Sequence, residues 1–219
     1  VDAVSSSEPY VTERRAGHFS DPATKASGER GIDPGTGILR KDFSLPEATD
    51  AVVYLAQSPH YRELPERAMH VWSVNVVSAL GVARALAEAG ARRLIYASTG
   101  SVYAPSFSPR AEDATTRRDD PYALSKLHAE EALAIFRDSL DLTIIRPFGI
   151  YGPGQGGMIV ANLIRAVREG KPVTLAPRPD GRDDGEGLRI SLCYVDDAAR
   201  VVEELLNRDG PDVLNVAGP

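Results

Sequence analysis

Two spacings of apolar residues alternate along the chain, one suited to strands and the other to helices. Ala51-Val-Val-Tyr-Leu-Ala56 is a continuous, β-branched-rich run behind Asp50, the pattern of a strand covered on both faces. Between Glu66 and Ala89, the residues Met69, Trp72, Val76, Ala79, Leu80, Ala83 and Leu86 recur at helical steps, which predicts an amphipathic helix ended by Gly90. Arg93–Ser98 reads as the next strand, Tyr122–Phe136 as the next helix, and Leu142–Arg146 as a strand stopped by Pro147. After a Gly/Pro-rich loop at 147–157, helical spacing returns at Met158–Glu169. A short strand at Val173–Leu175, a helix at Asp196–Asn207 and a strand at Val213–Val216 complete the series. Ile38–Phe43 fits a short strand, whereas residues 5–37, rich in Ser, Gly, Pro and charge, read as loop or partly disordered.

Strand and helix alternating in this way predict an α/β fold, a doubly wound parallel sheet between helix layers. Ligands in such sheets sit beyond the carboxyl ends of the strands. The segments to read for chemistry are therefore Ala56-Gln57-Ser58, Ser98-Thr99-Gly100-Ser101 and Pro147-Phe148-Gly149.

Composition narrows the choice of partner. With 219 residues, 42% of them apolar, the chain can bury a sizeable core, and a net charge of −6 offers no broad basic surface to nucleic acid or an anionic membrane. Cys193 is the single cysteine and cannot form an internal disulfide. The absence of a basic-then-apolar leader, and of any apolar run approaching the roughly 20 residues that span a bilayer, makes a cytoplasmic enzyme the expectation. Val1, where a methionine would stand, points to processing or to a missing upstream piece. His18, His60, His70 and His128 have no ligand-like spacing with one another or with Cys193, so no metal site is expected.

Tyr122 and Lys126 lie one turn apart at the start of a helix and share a face. A lysine cation beside a phenol lowers its pKa and makes it a general base near neutral pH. The hydroxyls of Ser98 and Thr99, at the mouth of the preceding strand, complete a proton-relay set for oxidising an alcohol carbon.

The surroundings of these residues are more specific than the pair. Leu94-Ile-Tyr-Ala-Ser-Thr-Gly-Ser-Val-Tyr103, Pro121-Tyr-Ala-Leu-Ser-Lys126 and Ile145-Arg-Pro-Phe-Gly-Ile-Tyr-Gly-Pro-Gly154 occur in order. Together they resemble the extended short-chain dehydrogenase/reductases, the epimerases, dehydratases and reductases of nucleotide sugars. The resemblance runs from about Ile38 to the end and includes Asn75 in the helix after the first clear strand, Cys193-Tyr-Val-Asp-Asp197, and Leu214-Asn-Val-Ala-Gly-Pro219. It implies a Rossmann-like core over 38–150, substrate-lobe segments over 151–195, and a closing helix and strand over 196–219, behind an irregular segment over 1–37. It makes Thr99, Tyr122 and Lys126 the catalytic triad and brings Asp42, Leu55, Ala56, Gln57, Ser98, Tyr122, Lys126 and Pro147 to NAD or NADP. Thr99, Gly100, Ser101, Gly149, Arg178 and Arg189 fall to a nucleotide-sugar substrate, with Arg182 beside Arg178. It also implies a homodimer formed through the helices at Glu66–Ala89 and Tyr122–Phe136.

Departures from the family pattern qualify this. No Gly-x-x-Gly-x-x-Gly follows an apolar strand, and Gly28, Gly31 and Gly35 are not preceded by one. If Val1–Val4 ends the family's second strand, the first strand and its glycine loop lie upstream of Val1; otherwise the chain is a cofactor-free relative, a binding protein or a non-redox acid/base catalyst. Gly100-Ser101 stands where dehydratases carry Asp-Glu, which disfavours dehydration and leaves 4-epimerisation or 4-ketoreduction. Simpler roles are expected elsewhere: Cys193 in the core, Asn75 bonded to a main-chain carbonyl of the neighbouring strand, and Glu112 and Asp113 in a solvated loop.

Overall fold

The computed structural model describes residues 10–11, 31–106, 108–173 and 190–218. Val1–Val4, Gly28, Arg178, Arg182, Arg189 and the end of the strand expected at Val173–Leu175 lie outside these residues; Val173 itself is in no strand.

Five strands form the main sheet in the order β1-β2-β3-β4-β7. β2 (Ala51–Tyr54), β3 (Arg93–Ala97), β4 (Asp141–Pro147) and β7 (Val213–Val216) are parallel, while β1 (Tyr10–Val11) pairs antiparallel with β2. Alternate residues serve opposite faces. Val52, Tyr54, Leu94, Tyr96, Leu142 and Ile144 pack with Val74, Val82, Leu86 and Leu133 of the helices on one side. Val53, Ile95, Ile145 and Val216 pack with Cys193 and Leu205 on the other. The sheet is thus covered twice, which is why its strands read as unbroken apolar runs.

The helix expected at Glu66–Ala89 is continuous but not uniform. α1 (Ala68–Trp72) passes through a π-helical segment, Ser73–Ser78, into α2 (Ala79–Glu88). The tyrosines beneath it hold carbonyls of this segment: Tyr54 donates to Val74 O at 2.5 Å and Tyr96 to Asn75 O at 2.9 Å. A π turn brings such carbonyls within reach at the cost of regular helical bonding. The 21-residue span Ala68–Glu88, of mean hydropathy 1.2, is long and apolar enough by length and composition to cross a bilayer, contrary to the expectation that no run approaches this; more than half of its window, 56%, is buried in the domain.

α3 (Pro121–Leu133) starts cleanly because Asp120 accepts from Ala123 N at 2.8 Å and Pro121 occupies the first turn. Its last expected turn, Ala134–Phe136, is a 3₁₀ turn. Two regions differ from expectation. Ile38–Phe43 forms no strand beyond a single bridge between Leu39 and Ile32, because Asp33 accepts from Gly35 N, Thr36 N and Thr36 Oγ1 and folds the chain into a turn. The Gly/Pro loop contains a strand, β5 (Gly149–Tyr151), which pairs in parallel with β6 (Leu192–Tyr194). α4 (Ile159–Arg168) lies between these two strands in sequence and α5 (Val195–Asn207) follows β6 directly.

Candidate active site

The carboxyl ends of β2, β3 and β4 bring the expected segments together around the first turn of α3. Tyr122 Oη donates to Gln57 Oε1 at 2.7 Å. Lys126, one turn further and only 1% exposed, donates from Nζ to Ala97 O at 2.9 Å, with the ammonium 5.1 Å from the Tyr96 ring centre. Thr99 is in extended conformation before a 3₁₀ turn, Gly100–Val102, and its Oγ1 accepts from Ser101 N at 3.1 Å. Tyr61 leans on Tyr122 with ring centres 5.2 Å apart.

The protonation states differ from the simple expectation that a lysine lowers the phenol. Burial pushes the Tyr122 phenol above its ordinary value, with hydrogen bonding to Thr99 pulling the other way and Tyr61 and Asp120 adding to the rise. Burial likewise brings Lys126 down to about 7, against the pull of the Glu130 carboxylate. Desolvation outweighs the Thr99 hydrogen bond at Tyr122 and the Glu130 carboxylate at Lys126.

Behind Thr99, Tyr122 and Lys126 lies a buried polar network that was not anticipated from the sequence. Glu130, a further turn along α3, forms a bidentate pair with Arg146 of β4 at 2.6 and 3.1 Å. Ser98, buried, donates its hydroxyl to the same carboxylate. Arg146 also donates to Tyr103 Oη at 2.5 Å, and Tyr103 in turn donates to Asn215 Oδ1 at 2.9 Å. Burial pulls the Arg146 pKa down, yet Glu130 and Tyr103 hold it above its ordinary value. Glu112 is no solvated residue: its carboxylate accepts from Asn215 N at 2.8 Å and its carbonyl from Arg146 at 3.0 Å, tying the loop to β7. Two signals for this network were present in the sequence, the Lys126-x-x-x-Glu130 spacing and an arginine ending an apolar strand.

Among the described residues the Asn75 side chain bonds no strand carbonyl. It accepts from Ser58 N at 3.4 Å and donates to Ser125 Oγ at 2.9 Å, joining the end of β2 to α3. Ser125 donates to Tyr122 O at 2.7 Å. Ser58 Oγ contacts His70 Nδ1 at 2.9 Å, and His70 Nε2 contacts Pro34 O at 3.0 Å. A carbonyl only accepts, so Nε2 carries the proton and Ser58 donates.

The other expected site residues are placed variously. Ala56 is buried beside Gln57, Leu55 is exposed, and Pro147 ends β4 at the site. Gly100 lies under Phe148, whose ring would stand 2.7 Å from any added Cβ. Gly149 packs so closely on β6 that an added Cβ would meet Ser191 O at 2.9 Å, leaving no room for a larger residue. Ser101 is exposed at the mouth, and Asp42 lies in an exposed turn. Cys193 is buried as expected, and burial raises its thiol pKa. Among the described residues no cluster suited to a metal ion occurs.

A parallel sheet covered by helices on both faces, with Thr99 following one of its strands and Tyr122 and Lys126 on the next helix, is a Rossmann-like α/β fold. The chain belongs to the NAD dependent epimerase/dehydratase family, whose model matches residues 39–217. It is 29% identical over 172 residues to the UDP-glucuronate 4-epimerase of Thermodesulfobacterium geofontis, covering 77% of this chain and 51% of that protein. Over 173 residues it is 30% identical to the UDP-glucose 4-epimerase of Vibrio cholerae, covering 70% of this chain and 52% of the relative. The structure of UDP-glucuronic acid 4-epimerase from Bacillus cereus in complex with NAD matches with a TM-score of 0.66 and 25% identity, over 78% of this chain and 55% of that one. RMD from Pseudomonas aeruginosa, complexed with NADPH, shares the fold with a TM-score of 0.69 at 23% identity, over 92% of this chain and 70% of that one. The chain spans about half the length of the curated relatives it matches.

Proposed function

We propose that the protein is a nicotinamide-dependent nucleotide-sugar 4-epimerase or 4-ketoreductase, with Thr99, Tyr122 and Lys126 as its catalytic residues. The observation that carries this reading is their convergence at the carboxyl ends of β2 and β3, with Tyr122 Oη reaching Gln57 across the site. Similarity to UDP-sugar 4-epimerases supports the substrate class. The lack of any carboxyl group at Gly100 and Ser101 disfavours dehydration.

The described residues fit the nicotinamide-ribose end of a dinucleotide. The buried Lys126 ammonium spends one N–H on Ala97 O and has donors left for a ribose hydroxyl. Ala56, Gln57 and Pro147 line the same edge, while no glycine turn for the pyrophosphate occurs among the described residues. When bound, the dinucleotide supplies the hydride acceptor and donor for the sugar carbinol carbon. Tyr122, as phenolate, takes the proton of the sugar hydroxyl as the carbinol becomes a carbonyl, and returns it when the carbonyl is reduced. Thr99 hydrogen-bonds that same oxygen, and Lys126 serves the nicotinamide ribose. The homodimer of this reading would cover Met69 and Ile135, exposed by 82% and 75% on or beside the helices concerned.

Tyr122→Phe removes the acid/base group and preserves the ring. Turnover of UDP-glucose or UDP-glucuronate with added NAD falls by about a thousandfold, measured by product chromatography. An unchanged rate overturns the reading.

A further inference from the structure

We propose that Gln57 is a positioning residue for Tyr122 that follows its proton: the amide carbonyl accepts from the phenol and the amide NH₂, after rotation of the terminal torsion, donates to the phenolate. The inference rests on Tyr122 acting as the acid/base group.

Gln57 is held on both sides. Ala56 before it is fully buried, and Ser58 after it is pinned through its N–H to Asn75 and through its hydroxyl to His70. Its side chain is thereby delivered to Tyr122 Oη at 2.7 Å from a point 65 residues earlier in the chain. The charged and titratable groups around the phenol are otherwise engaged. Asp120 caps α3, Lys126 is turned to Ala97 O, and Glu130 behind it is held by Arg146 and Ser98. Tyr96 donates to Asn75 O, and Arg62 lies 5.1 Å over the outer Tyr61 ring. Among the described residues no cation touches the Tyr122 hydroxyl, and the amide is its direct polar contact alongside the Thr99 hydroxyl.

A carbonyl in fixed orientation accepts only from the protonated phenol and would oppose loss of the proton. An amide escapes this because its two ends have opposite hydrogen-bonding character and its terminal torsion is broad and two-fold. Rotation replaces the acceptor by a donor in nearly the same place. The phenol and the phenolate are then each met by a suitable partner without movement of the backbone.

The test compares Gln57→Glu, which keeps the acceptor but adds charge and cannot donate when ionised, with Gln57→Met, which keeps the length and loses both roles. In cofactor-free protein the Tyr122 titration, followed by NMR of ring-labelled tyrosine and assigned with Tyr122→Phe, moves upward by about one pH unit or more in the Glu variant. With a UDP-sugar, kcat/KM of the Glu variant at pH 7 drops by roughly a hundredfold and recovers as pH is raised, whereas the Met variant loses about tenfold at every pH. NAD affinity of the Met variant, measured separately, distinguishes a lost cofactor contact from lost control of the proton. A Tyr122 titration unmoved in both variants overturns the proposal, as does a loss confined to cofactor affinity with an unchanged pH profile. Because the titration needs neither cofactor nor turnover, a shifted titration in a protein that converts no UDP-sugar would sink the functional reading and leave the Gln57 contact standing.

Discussion

α3 and α4 are both short helices with charged and apolar residues intermixed, yet they stand in opposite environments. α3 buries Ala123, Ser125, Lys126, Leu127, Ala129, Glu130 and Leu133, so its polar residues are enclosed along with its apolar ones. α4 buries none of its residues, although Ile159, Leu163, Ile164 and Val167 give it a continuous apolar side. Enclosure is what gives α3 its chemistry. An amine or carboxylate surrounded by protein has its charge and orientation fixed by named neighbours, whereas one in water is screened and mobile. Amphipathic spacing therefore marks a face but not what that face meets.

The sharpest way to break this contrast is at Glu130. Glu130→Leu leaves the Arg146 guanidinium, 6% exposed, without its carboxylate partner, and Ser98 without its acceptor. An uncompensated buried charge costs about 3–5 kcal/mol. For a domain of this size that corresponds to a fall in Tm of roughly 10 °C, read by calorimetry. Combining it with Arg146→Met restores much of the loss, since two apolar residues leave no orphaned charge. A single variant melting within about 2 °C of the parent would show that the pair is not sealed from water.

Lys126 sharpens the contrast through pH. Its folded-state pKa of about 7 lies below the ordinary 10.5, so between those values the unfolded chain binds more protons than the folded one. Stability therefore rises with pH across this window, and the cost of the buried ammonium is fully present below it. The slope from one such group is at most about 1.4 kcal/mol per pH unit. Urea midpoints of cofactor-free protein from pH 7.5 to 9 climb relative to those of Lys126→Met, which lacks the titrating group. Parallel curves for the two proteins would mean that the amine is solvated.

The parallel strands of the main sheet, the long helix and the start of α3 were legible because each rests on a local signal: a β-branched run, a helical spacing, a turn-forming Asp120-Pro121. What remained hidden depends on distant partners. Nothing near Glu130 in sequence names Arg146, and Gln57 marks only a strand end until α3 presents Tyr122 to it. The π-helical segment was invisible for the same reason, since it answers to Tyr54 and Tyr96 on other elements. The misread strand at Ile38–Phe43 has a local cause, an Asp33 side chain that gathers three donors and competes with strand pairing. The Tyr122 phenol is raised rather than lowered because burial dominates its surroundings, and sequence shows a neighbour but not the depth of burial.

The smallest expected effect lies on α4. Ile164 and Val167 are 49% and 73% exposed, so replacing either by Ser removes little area from contact with protein. The change should alter stability by no more than about 0.5 kcal/mol, the range of surface substitutions. Leu133 of α3, fully buried against the sheet, is the internal standard, and Leu133→Ala costs about 2–5 kcal/mol through lost contacts and the cavity left behind. Urea midpoints of the three variants, measured side by side, give the ratio directly. Should Ile164→Ser or Val167→Ser approach the cost of Leu133→Ala, the apolar side of α4 is covered in solution, and the division between an enclosed α3 and an open α4 would fall.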